Sequence, residues 1–98
     1  MIRHVVMLKW KPETTQAEVE TLRSALAELP ALVPSIVDYA FGTDLGSAPT
    51  NFDFAVSAVF LDLDGYVTYR DHPEHVRVVQ AFIAPHLAER AAVQFALD

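Results

Sequence analysis

The chain has 98 residues, 52% of them apolar, and a net charge of −6 from 13 acids against 7 lysines and arginines. That length fits one domain, expected over residues 1–98, and the absence of cysteine removes disulfides, thiolate nucleophiles and Cys-based zinc sites. No basic patch speaks for nucleic acid, and no apolar run approaches the ~20 residues that span a bilayer; a soluble cytoplasmic protein with neither partner is expected.

The opening "MIRHVVMLKW" reads as a strand, with Ile2, His4, Val6, Leu8 and Trp10 on one face and Val5 and Met7 on the other. A strand apolar on both faces is expected at the centre of its sheet and covered on both sides. Thr15 and Glu18 form a T-x-x-E capping box that starts a helix, whose buried stripe is Val19, Leu22, Leu26 and Leu29. Pro30 is expected to end it. "SIVDYAFGTD" reads as a second strand, with Val37, Tyr39 and Phe41 sharing a face, and "LGSAPTN" as a loop. In "FDFAVSAVFL" Phe52, Phe54, Val56, Ala58 and Phe60 face one way, and Ala55, Val59 and Leu61 the other.

Asp64 is expected to cap a short helix carrying Tyr66, Val67 and Tyr69. His72 is held out of the helical region by Pro73 and suits an N-cap, with Pro73 at the first helical position. Val76, Val79, Phe82 and Ile83 predict the inward stripe of the next helix, and "AAVQFAL" a short closing strand. The order βαββαβ is the ferredoxin-like α+β pattern, two helices on one face of a four-stranded antiparallel sheet. The other sheet face is also apolar, so a homodimer through the sheet faces is expected.

The segments "IRHVVMLKWKP", "LPALVPSI" and "YRDHPEH" resemble the stress-responsive A/B barrel (Dabb) domain family over essentially the whole chain. The resemblance implies a ferredoxin-like protomer that pairs with its copy into a dimeric α/β barrel. A plant polyketide cyclase in that family uses a tyrosine and a histidine six residues later, which match Tyr69 and His75. Its pocket histidines match His4 and His72. Where that cyclase has aromatic tunnel residues, this chain has Leu22, Arg23 and Leu26, a change that alters the pocket's shape and polarity.

The expected catalytic residues are therefore Tyr69 and His75, and the expected ligand contacts His4, Val6, Leu8, Leu22, Leu26 and His72. His75, in the first turn of its helix, is expected to stay neutral in the field of the helix dipole and to act as a base; Tyr69 would hydrogen-bond a developing enolate. Such chemistry on a hydrophobic carbonyl compound, a cyclisation or isomerisation, needs no cofactor, and neither cofactor nor metal is expected. A histidine zinc site would need a further ligand and lacks the usual i,i+4 spacing. Two other functions are weighed: a non-enzymatic stress-response or structural dimer, in which His72 only caps its helix and His75 only bonds backbone, and a haem-degrading or quinone-forming monooxygenase on the same dimeric fold, for which the residues show no clear cofactor constellation.

Overall fold

Alternating β-branched and aromatic residues form four strands in the computed structural model, which describes residues 1–97. The elements are β1 (Ile2–Trp10), α1 (Gln16–Leu32), β2 (Asp38–Thr43), β3 (Phe54–Phe60), α2 (Leu63–Asp71), α3 (Pro73–Val78) and β4 (Leu87–Ala96). The strands lie in the order β2-β3-β1-β4, and every neighbouring pair is antiparallel. β1 is central, with His4 opposite Ala58 on one side and Gln94 on the other. Among the described residues no helix is long and apolar enough to cross a membrane.

The helices cover one face of this sheet. Leu8, Phe54, Val56, Ala58 and Phe60 rise from the strands to meet Leu22, Leu26, Leu29 and Val33 of α1 and its C-cap, with Tyr69 of α2 and Val78 of α3 closing the core. Burying each such leucine or phenylalanine contributes about 1.5–3 kcal/mol. At the start of α1, Thr15 Oγ1 accepts the Glu18 N–H and the Glu18 carboxylate accepts the Thr15 N–H, at 3.2 and 2.9 Å.

The structure departs from expectation at several element ends. Pro30 does not stop α1, which runs on to Leu32. The ring removes one helical N–H, but Leu29 and Val33 on either side are fully buried and the Val33 N–H reaches the Leu29 carbonyl at 2.8 Å. Packing thus holds the last turn. The cap of α2 is Asp62, not Asp64, because β3 already ends at Phe60; the Asp62 carboxylate takes the Gly65 N–H at 2.9 Å. Val37, Phe52 and Leu61 fall outside the strands.

After Val78 the helix widens into a π turn over Val79–Ile83 and then tightens over Ala84–His86. Pro85 forces this, since its ring collides with the carbonyl four residues back. Within α3, Val78 lies three residues after His75 on the inward face and is buried, whereas Val76 is 36% exposed. β4 begins at Leu87 and is longer than expected, because its start pairs with Trp10 across a bulge at Lys9/Trp10.

The sheet is open. β2 and β4 are its two edges and do not pair with each other, so the expected α/β barrel is not formed. Four strands are too few to close around a packed interior. The uncovered face carries Val5, Met7, Ala55, Val93 and Phe95, of which Met7, Val93 and Phe95 are 41%, 58% and 46% exposed. Beside it the β2–β3 loop turns at Gly46, whose φ of +78° suits glycine, and holds Leu45 out at 96% exposure.

Candidate functional site

Between the sheet and the helices lies a partly enclosed cavity of about 250 Å³. Its floor is His4, Val6 and Leu8 of β1, and its walls include Leu26 of α1, Tyr66 and Tyr69 of α2, and His75 and Val78 of α3. The π turn contributes Val79 and Ile83, and β4 contributes Leu87 and Arg90. The widened turn is thus part of the cavity wall, a common placement for such turns. A larger groove over the open sheet face is lined by Met7, Phe41, Leu45 and Phe52 but holds no histidine or tyrosine.

The cavity brings together six of the residues named from the sequence: His4, Val6, Leu8, Leu26, Tyr69 and His75. Leu22 and His72 are not among its walls. Leu22 is sealed in the core at 0% exposure. His72 sits at the N-cap of α3, where its Nδ1 accepts the Glu74 N–H at 3.1 Å. Among the described residues no three histidine, aspartate or glutamate side chains converge as metal ligands.

Hydrogen bonds fix the tautomers. His75 Nδ1 lies 3.1 Å from the Arg70 carbonyl oxygen, which can only accept, so Nδ1 carries the proton and Nε2 keeps its lone pair. His4 has the opposite arrangement. Its Nδ1 accepts from the Gln94 side-chain amide at 3.0 Å, which leaves its Nε2–H as a donor.

Burial, the largest cause, holds the His75 imidazole below its ordinary pKa, and the charge of His72 adds to it against the opposing pull of the Arg70 carbonyl. His4 is lowered likewise, by burial first and then by the charges of Arg90 and His75.

Tyr69 is 4% exposed, its ring 4.1 Å from that of His75 between centroids. Its hydroxyl lies 2.8 Å from the Tyr39 hydroxyl. Burial pushes the Tyr69 phenol up to about 12, so it stays protonated near neutral pH. Tyr39 is driven well above the ordinary phenol range, by burial and then by Tyr69. With Tyr39 donating, the Tyr69 O–H is free to donate into the cavity.

Three contributors escape sequence reasoning. Tyr39 was legible only as an inward residue of β2, because its partner is 30 positions away on a helix. Tyr66 offered packing alone, yet it lies 4.8 Å from His4, ring to ring, and lines the cavity. Gln94 left one usable signal, as the lone amide between Ala92 and Ala96 on the face that β4 turns toward the helices.

The two lowered histidines make stability depend on pH. Their folded pKa values lie below those of the unfolded chain, so the unfolded chain takes up protons first as pH falls. Stability from these groups is fully present above about pH 6.5 and is lost as pH falls through the folded values. The urea midpoint is expected to drop between pH 7.5 and 5.5, and to drop less in a His4→Gln, His75→Gln double variant. An unchanged or rising wild-type midpoint would contradict this.

The Stress Responsive A/B Barrel Domain family matches residues 2–97. A stress-response A/B barrel domain-containing protein of Arabidopsis thaliana is 31% identical over 85 residues, covering 84% of this chain and 74% of the relative. Olivetolic acid cyclase of Cannabis sativa is 26% identical over 77 residues, 76% of each chain. A crystal structure from Thermobifida fusca, described as a dimeric ferredoxin-like protein of unknown function, is 49% identical with a TM-score of 0.90, covering 98% of this chain and 90% of that one. Its description as ferredoxin-like agrees with the open sheet found here and not with the barrel expected from the sequence.

Proposed function

This chain belongs to the stress-responsive A/B barrel domain family, and from that premise we propose a homodimer whose single domain binds a hydrophobic, carbonyl-bearing small molecule and moves the proton beside its carbonyl. The observation that carries this reading is the convergence of Tyr69, His75 and His4 on one cavity whose other walls are mostly apolar. Few polar groups on an apolar wall is the usual composition of a small-molecule site.

In the proposed mechanism His75 Nε2 takes a proton from the carbon next to the carbonyl. The enolate oxygen accepts hydrogen bonds from the Tyr69 hydroxyl and from His4 Nε2–H. The enolate then takes the proton back from the His75 imidazolium, at the far carbon when a conjugated double bond extends it, which is isomerisation, or its carbon attacks a second carbonyl of the same molecule. In that second case the imidazolium of His75 returns its proton to the alkoxide, and an aldol ring closure results. Support for the cyclase branch comes from the relative named olivetolic acid cyclase and from the match of Tyr69 and His75 to the family's polyketide-cyclase pair. The dimer is supported by the Thermobifida fusca relative, described as dimeric, and by the apolar open face around Val5, Met7 and Val93.

Exchange of α-protons in D2O tests the reading without knowledge of the natural substrate. Methyl 7-oxooctanoate, a neutral methyl ketone, is expected to exchange faster with the protein than with an equal concentration of imidazole. Exchange no faster than with imidazole would favour the alternative, a dimer that acts as a binding or structural unit.

A further inference from the structure

The chain carries 13 acids against 7 lysines and arginines, yet the cavity wall reverses that balance. It includes two arginines, Arg70 and Arg90, and no aspartate or glutamate. The two arginines are not equivalent. Arg70 is held by Asp71 through two hydrogen bonds of 2.9 and 3.1 Å, which largely neutralise it. Arg90 has no ion-pair partner among the described residues. It stands on β4 opposite Leu8, on the side turned toward the helices and four residues before Gln94, the partner of His4.

We propose that Arg90 selects a carboxylate, so that the site takes a small keto acid with its ketone at Tyr69 and His75 and its acid group at Arg90. This rests on the function proposed above and adds the chemical class of the ligand. One unpaired guanidinium matches one negative charge and can grip a carboxylate through two parallel hydrogen bonds. Val6 lies between the two ends and Leu8 lies level with Arg90, an apolar floor that suits a methylene chain. A protein of net charge −6 repels anions at long range, so a local cation without a carboxylate of its own is what admits one.

The test compares 7-oxooctanoate with its methyl ester, by titration into the 15N-labelled wild-type protein and Arg90→Gln. The acid is expected to bind the wild type about 10- to 100-fold more tightly than the ester, the range of one charge-assisted hydrogen-bonded pair. In Arg90→Gln its affinity is expected to fall to that of the ester, and Arg90→Lys to keep part of the preference. Arg90 is exposed, so the variants should keep the wild-type amide spectrum outside the cavity. Equal binding of acid and ester to the wild type overturns the carboxylate assignment and leaves the carbonyl site standing. A preference that survives in Arg90→Gln overturns the role of Arg90. If neither probe shifts the cavity residues at millimolar concentration, both this inference and the carbonyl site fall.

Discussion

His75→Ala is expected to lower protein-accelerated α-proton exchange of methyl 7-oxooctanoate by about 100- to 10,000-fold, the usual contribution of a positioned base. Only His75 combines the required features. The Arg70 carbonyl holds its Nδ1–H, so Nε2 is the basic nitrogen, and burial keeps the ring neutral at the pH of the assay. His4 cannot replace it, because the Gln94 amide occupies the lone pair of its Nδ1 and leaves only a donor. Tyr69→Phe is expected to cost about 100- to 1,000-fold, as loss of one enolate donor does. Tyr39→Phe should cost less than Tyr69→Phe, because Tyr39 is not among the cavity walls and acts through the 2.8 Å bond to Tyr69. Because the His75 ring packs against Tyr69, His75→Gln serves as a second variant that fills the space. Exchange in both His75 variants equal to wild type would remove His75 from the mechanism.

Val5→Glu is expected to convert the proposed dimer to a monomer. Val5 lies at the middle of the open sheet face, between Ser57 and Val93 on the neighbouring strands. In a monomer the new carboxylate would meet water and cost little. Against a second sheet it would be buried without a partner, a penalty of about 2–5 kcal/mol, or roughly 30- to 5,000-fold in dimer affinity. Val93→Glu, on the edge strand, should act in the same direction. Sedimentation velocity at micromolar protein distinguishes the outcomes: a wild-type dimer with monomeric variants is expected. A wild-type monomer, or variants that stay dimeric, would remove the sheet face as the interface.

The parts of the fold legible in the sequence are those set by local chemistry. The capping box at Thr15 and Glu18, the two-faced pattern of β1, and the His72–Pro73 helix start each depend on residues a few positions apart. What stayed hidden depends on distant partners. Pro30 looked like a helix stop because burial of Leu29 and Val33, which holds the turn together, is a tertiary fact. The start of β4 looked like loop because Leu87–Arg90 has no strand pattern of its own and is held by pairing with β1. For the site, Tyr69, His75, His72 and Leu22 were all named from the family resemblance; the first two line the cavity and the last two do not. The buried stripe of α1 and the helix start at His72 were both legible locally, and they account for Leu22 in the core and His72 at its cap.

The central claim is that a carbonyl ligand sits in the cavity beneath the helices, with the carbon beside its carbonyl against His75. Isotope-filtered nuclear Overhauser spectra of 13C-labelled protein with unlabelled methyl 7-oxooctanoate test it most directly. The predicted result is a set of contacts from the probe's ketone methyl protons to the rings of His75 and Tyr69, and from its chain to Val6 and Leu8. Contacts instead to Met7, Leu45 and Phe52, in the groove on the open sheet face, would contradict it.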